Sequence, residues 1–233
     1  MLIAKDLVEA TFLERPNRFL GIVKLDNNEI QCFIPNPGRM KELLIKDQKV
    51  FLVKRDSSNR KTDYDMIAVK YGERIVSIDS RVPNKLSFQL FKNKVLLNET
   101  FDVIRPEFNW GNSRFDFLLK KDKTKYLIEV KSCTLVKNNI ALFPDAPTER
   151  GARHVYELTK ALDQGYNSMI LFIVQRADAE LFKPNKETDK KFSENLKIAH
   201  EKGVMIKILT NKISLKENNL YIDPMKEIGF DIT

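Results

Sequence analysis

Over roughly the first eighty residues, apolar side chains fall in short runs that alternate with polar ones or stay briefly unbroken. These runs are residues 7–13, 19–25, 29–34, 49–53, 65–71 and 75–78, each bounded by turn-forming residues. Side chains two apart share a face of a strand, so this period predicts strands buried on one side. Asp26-Asn27-Asn28 joins the second run to the third as a hairpin turn, since Asn and Asp tolerate the backbone such turns need. Pro35-Asn36-Pro37-Gly38 closes the third run. Its prolines lack the N–H of a continued ladder, and its glycine permits a sharp turn into about one helical turn ending near Leu44. Five or six short strands with one short helix predict a small Greek-key barrel of the OB type.

The pattern changes around Val82-Pro83-Asn84. Asn84 is expected to cap a helix over residues 84–94 that places Leu86, Leu90 and Phe91 on one face. Strands are expected at 103–107, 114–119 and 125–132, then a helix from an N-cap at Thr148 to Gly165. Residues 169–174 are an unbroken apolar run, predicting a buried strand that is parallel to a neighbour because a helix leads into it. A helix over 188–202 and a strand over 204–209 complete the pattern. The expected organisation is an OB-like domain at 1–82 and a mixed α/β domain at 83–233.

The 233 residues are 42% hydrophobic and 31% charged, which suits a folded chain with a sizeable core. No apolar run approaches the ~20 residues of a membrane span. The N-terminus Met1-Leu2-Ile3-Ala4-Lys5-Asp6 lacks the order of a secretory signal, so the expected location is the cytoplasm. Cys32 and Cys133 stand alone in separate apolar runs and read as buried thiols rather than a disulfide or zinc site. The net charge of +8 is compatible with a polyanionic partner. The excess is spread over both halves, so folding would have to gather any nucleic-acid site.

The most informative chemistry lies in Ser113-Arg114-Phe115-Asp116-Phe117 and Tyr126-Leu127-Ile128-Glu129-Val130-Lys131-Ser132. On the second of these strands Glu129 and Lys131 share a face, and a hairpin through residues 120–124 would bring Asp116 beside them. Two carboxylates can hold a hard divalent ion, and a neighbouring ammonium can steady an attacking water or a growing negative charge. The same spacing also fits a solvated sheet face carrying a cross-strand ion pair. Acidic-x-Lys recurs at Asp47-Gln48-Lys49 and Asp189-Lys190-Lys191, but only Glu129 sits in a β-favouring apolar run with a carboxylate on the preceding strand. Farther on, Arg150, Arg153, His154 and Glu157 fall together beside the Val155, Leu158, Leu162 stripe of their helix, as a phosphate-facing rim would.

Arg114-Phe115-Asp116-Phe117, Glu129-Val130-Lys131-Ser132 and the segment Phe143-Pro144-Asp145-Ala146-Pro147-Thr148-Glu149-Arg150-Gly151 resemble the sugar fermentation stimulation protein A family. Asn17-Arg18-Phe19 and Pro35-Asn36-Pro37-Gly38 extend the resemblance, which runs from about residue 7 to about residue 215. It implies an N-terminal OB-like domain, a C-terminal domain of the PD-(D/E)xK nuclease kind, and DNA as the partner. Asp116, Glu129 and Lys131 then correspond to the motif residues, with Glu107 as an extra carboxylate, and Mg²⁺ or Mn²⁺ as the ion held by Glu107, Asp116 and Glu129. Phe115 stands where the literal motif has proline, which is not a ligand. Nucleic acid would be followed by Arg18, Phe19, Arg39 and the basic segment of Lys54, Arg55, Arg60 and Lys61, together with Arg150, Arg153 and His154. Two functions fit: a DNA-binding protein with a metal-dependent phosphodiesterase site, or a non-catalytic DNA-binding regulator of sugar-metabolism genes. A module that binds a partner without nucleic acid is a third.

Overall fold

The computed structural model describes residues 1–56 and 60–232. After β1 (Leu2–Ala4), the strands β2 (Val8–Asn17), β3 (Leu20–Leu25), β4 (Asn28–Phe33), β5 (Lys49–Lys54), β6 (Tyr64–Tyr71) and β7 (Arg74–Ser77) match the six alternating runs. They pair in the order β4-β3-β2-β5-β6-β7, and a parallel contact of β4 with β6 closes a five-stranded ring with β7 outside it. Closure leaves few exposed edges, as in an OB barrel. Val23, Cys32, Ile34, Met40, Leu43, Val50, Leu52 and Met66 fill the interior. The turn expected near Leu44 is a single hydrogen-bonded one, in which the Met40 carbonyl accepts from the Leu43 and Leu44 N–H at 3.1 and 2.9 Å, and Met40 and Leu43 are buried in the barrel.

The second domain runs α1 (Val82–Lys92), β8 (Val103–Trp110), β9 (Ser113–Lys121), β10 (Thr124–Cys133), β11 (Val136–Lys137), β12 (Ile140–Phe143) and α2 (Glu149–Leu162). It continues with β13 (Tyr166–Val174), β14 (Leu181–Pro184), α3 (Lys190–Glu201), β15 (Met205–Lys216), β16 (Asn219–Glu227) and β17 (Gly229–Phe230). Seven strands form one sheet in the order β1-β16-β15-β13-β10-β9-β8, with β13 parallel to both β10 and β15. This is the mixed α/β architecture of a PD-(D/E)xK nuclease-like domain. Strand β13 shows why its sequence is apolar throughout. Ile170, Phe172 and Val174 pack against α2 and α3, whereas Met169, Leu171 and Ile173 pack toward α1 and the barrel.

Three expectations change here. Leu2–Ala4, where no strand is expected, pairs antiparallel with β16 in the second domain's sheet. That pairing gives an otherwise unpaired sheet edge its hydrogen bonds. Helix α1 starts at Val82 behind Arg81, with proline in its first turn, so Asn84 lies inside the helix and its side chain is free for another partner. The strand expected at 204–209 runs on to Lys216 as β15, and β11, β12, β14, β16 and β17 are additional to the expected strands, with β11, β12, β14 and β17 in a separate small sheet.

The two domains share buried polar contacts. Gln175, fully buried at the end of β13, accepts from Ser77 Oγ (2.7 Å) and donates to Ser132 Oγ (2.9 Å) and the Asp79 carbonyl (3.2 Å). Both cysteines are buried free thiols, and burial pushes Cys32 up to about 12. Among the described residues, no helix is long and apolar enough to cross a membrane.

Candidate functional site

The antiparallel ladder between β9 and β10 runs from Lys121–Thr124 to Phe117–Ile128 and stops there. At the next step Asp116 supplies the missing acceptor with its side chain: Asp116 Oδ2 takes the Val130 N–H at 2.7 Å. The other carboxylate oxygen accepts from Asn84 Nδ2 of α1 at 2.5 Å. The strands part at this point. On the far side of β9 the register with β8 is continuous, and Glu107, with a φ of 54°, stands opposite Asp116 between the Pro106–Phe117 and Phe108–Phe115 pairs. Phe115 packs toward α2 and Phe117 toward α1.

Glu129 lies in the centre of the sheet, 4% exposed, with its strand held on the far side by β13. Its parity directs it to the α2 face alongside Leu127 and Cys133. Lys131 Nζ sits 2.5 Å from Glu129 Oε1, and His154 Nδ1 of α2 approaches the same oxygen to 2.7 Å. The imidazole contact is an electrostatic one, out of line with the ring N–H. Arg150 Nε donates to His154 Nε2 at 3.3 Å. Glu129 Oε2 is buried with no hydrogen-bond partner. Burial pushes the Glu129 carboxyl up, but Lys131 and His154 outweigh it and hold the group below the usual carboxylate range. Asp116 behaves oppositely. Burial, reinforced by the Glu129 charge, pushes it up to about 6 against the Val130 N–H, Lys131 and Asn84.

Asp116, Glu129 and Lys131 are therefore brought together, with Asn84 and His154 as neighbours that sequence reasoning did not place there. The sequence offers Asn84 as a helix cap, and its helical phase alone does not reveal what it faces. The sequence groups His154 with the phosphate-facing rim, yet it is 1% exposed. The buried face of α2 is wider than the Val155 stripe, because His154 lies on the sheet against Glu129 and Phe115 and Glu157 lies over the β8–β9 turn. Glu157 takes the Asn112 N–H at 3.1 Å in the β8–β9 turn. Arg150 and Arg153 remain exposed. Glu107 stands at the surface, ion-paired with Arg114 at 3.3 Å, and shares with Asp116 the lining of a cleft of about 630 Å³. Among the described residues, no cluster of three or more acidic, histidine or cysteine groups is arranged around a metal position.

On the barrel, Phe19 is 44% exposed and its ring stacks on Phe33, with centroids 6.0 Å apart. Arg18 lies over Phe19 at 5.9 Å and Arg60 over Phe33 at 5.8 Å. Arg39 is exposed and lines a second basic hollow with Arg15, Arg18 and Lys41. Arg55 and Arg60 have an internal task as well: with Arg81 they neutralise Asp65, whose side chain is fully buried. Lys54 and Lys61 are exposed, and residues 57–59 of the same basic segment lie outside the described residues.

Two family models match successive parts of the chain: the SfsA N-terminal OB domain at residues 13–78, and the sugar fermentation stimulation protein RE domain at 81–217. A sugar fermentation stimulation protein homolog of Natranaerobius thermophilus is 45% identical over 214 residues, covering 89% of each chain. Its counterpart in Ruminiclostridium cellulolyticum is 45% identical over 202 residues, covering 87% of this chain and 89% of the other. The structure of Pyrococcus furiosus SfsA in complex with Ca²⁺ superimposes with a TM-score of 0.89 at 31% identity, over 99% of both chains. Barrel, nuclease-like sheet and near full-length identity agree, and the chain belongs to the sugar fermentation stimulation protein family.

Proposed function

We propose that the protein binds DNA and hydrolyses its phosphodiester bonds with Mg²⁺ or Mn²⁺ held by Asp116 and Glu129. The observation that carries this reading is Glu129 itself. One oxygen of this buried carboxylate is held by Lys131 and His154, while the other is buried without a partner. An ion pair serving only stability gains nothing from an unsatisfied buried oxygen, which carries a desolvation cost. A hard cation is the partner that such an oxygen suits, and two carboxylates are enough for Mg²⁺, which keeps several waters and takes phosphate oxygens. Glu107, at the rim of the cleft, is not needed for that set. The Ca²⁺ complex of the Pyrococcus furiosus relative supports a hard divalent ion, and the OB domain supports a nucleic-acid partner.

A bound divalent ion supplies positive charge at the scissile phosphate and lowers the pKa of the attacking water. Lys131 Nζ, fixed by Glu129, orients that water and stabilises charge growing on the phosphate oxygens. Asn84 and the Val130 N–H keep the Asp116 carboxylate from rotating. His154, backed by Arg150, does the same for Glu129.

The test is to incubate the protein with DNA in Mg²⁺, in Mn²⁺ and in chelator, beside a Glu129→Gln variant. Cleavage by the variant is expected to fall by about 10²-fold or more, the scale for losing one electrostatic stabiliser. Its DNA retention in chelator should stay equal or tighten, because a carboxylate repels phosphate. Equal cleavage by the variant would remove Glu129 from the chemistry. Retention of DNA by the wild type without cleavage in either ion would leave a DNA-binding regulator.

A further inference from the structure

We infer that the DNA handled at this site is single-stranded, with unpaired bases stacked on the Phe19–Phe33 pair and another base lodged beside Phe88 at Asp116. The inference rests on the DNA-processing reading above and names its substrate. The first observation is the order of groups on the barrel: guanidinium, ring, ring, guanidinium, from Arg18 through Phe19 and Phe33 to Arg60. The two rings are nearly parallel, 19° apart, and Phe19 is 44% exposed. An exposed phenylalanine flanked by cations offers a face for a base and charges for the phosphates on either side of it. In a duplex the faces of the bases are already stacked on one another, so only an unpaired base can use such a platform.

The second observation lies at the other end of a continuous series of contacts. Arg60 pairs with the buried Asp65, which also holds Arg55 and Arg81. Three guanidiniums stand against Asp65 and Asp79, so one positive charge is left in excess. Arg81 then precedes the first turn of α1, and three residues on, Asn84 bonds Asp116. One turn beyond Asn84, Phe88 faces the same cleft, 38% exposed, with Gln89 also at the wall. A cleft of about 630 Å³ with an exposed aromatic ring and a few amide groups suits a nucleobase. Both ends of the path thus offer ring faces that bases can use once they have left the double helix.

The test uses the full-length protein in chelator and fluorescence anisotropy with a labelled single strand and a duplex of the same sequence. Single strands are expected to bind at least ~10-fold tighter than duplex. Phe19→Ala and Phe88→Ala should each weaken single-strand binding by about 5- to 150-fold, the range for one base stack, and leave duplex binding unchanged. Phe19→Trp keeps a stacking face and should retain the affinity. Thermal unfolding of each variant shows whether the fold is intact. Duplex bound as tightly as single strand, or single-strand affinity unchanged in both alanine variants, would overturn the inference while leaving the DNA-processing reading in place. Retention of neither form of DNA would end both.

Discussion

Asp116 and Glu129 are neighbouring carboxylates whose surroundings push them apart. Glu129 shares one oxygen between two cationic or polar partners and stays below the usual range, whereas Asp116 is raised by burial and then by Glu129 to about 6. The consequence for stability has a definite sign. Between the unfolded value of about 3.9 and the folded value, the native state binds more protons than the unfolded one. The contribution of Asp116 to stability is therefore complete below about pH 4 and is lost as pH rises through about 6. Without divalent ions this loss should reach about 3 kcal/mol at most, and Asp116→Asn should flatten the slope. Urea unfolding in chelator across that interval checks it, and a wild-type profile as flat as the variant's would mean that Asp116 is ionised throughout. At this scale the Glu129–Lys131 adjacency was legible because strand parity is local. The partners Asn84 and His154 were not, because each comes from a helix whose contacts depend on which face the sheet takes up.

At the scale of elements, α2 is the part that carries His154 to Glu129, and its start is fixed by side chains. Thr148 Oγ1 accepts the Gly151 N–H at 3.0 Å, as the sequence led one to expect. Asp189, the N-cap of α3, does two jobs: Oδ1 takes the Phe192 N–H at 2.8 Å and Oδ2 takes the Thr148 N–H at 2.8 Å. One residue thus ties the starts of both helices together, and Asn195 adds a bond from α3 to the Ala152 carbonyl at 2.9 Å. Thr148→Ala is expected to cost about 1 kcal/mol, with Thr148→Ser close to wild type. Asp189→Ala should cost more, about 2 kcal/mol, because two backbone N–H groups lose their acceptor. Denaturant unfolding of the three variants measures the order, and equal losses for Thr148→Ala and Asp189→Ala would mean that the shared cap contributes nothing.

At the scale of the whole molecule, the barrel and the nuclease-like domain meet through backbone as well as side chains. Gly38 lies so close to Asp145 that a Cβ there would overlap its carboxylate, and Asp145 Oδ2 also accepts the Met40 N–H at 3.2 Å. Asp145 is short and already held, so it has little room to give. Gly38→Ala is expected to destabilise the protein by about 1–3 kcal/mol, the usual cost of forcing atoms into a packed site. Urea unfolding checks it, and unchanged stability would show that the junction yields. Arg15 explains why this loop holds its shape: its guanidinium donates to the carbonyls of Arg18, Asn36, Gly38 and Arg39, at 2.6 to 2.9 Å.

The sequence by itself determined the six barrel strands, the parallel buried strand and the two long helices, because periods of 2 and 3.6 are imposed by local geometry on any chain that must bury one face. It also placed the three residues of the proposed site near one another, since Glu129 and Lys131 are two apart and Asp116 lies one hairpin away. The tertiary structure alone decided the rest. Leu2–Ala4 pairs with an edge some 220 residues distant in the chain, which no local period encodes. His154 is buried because its side of α2 lies against the sheet, on Glu129 and Phe115. Arg55 and Arg60 turn partly inward because Asp65 is enclosed when the barrel closes. In each case the deciding energy is the pairing or burial of a group by a segment far away in sequence, and such contacts exist only once the chain has folded.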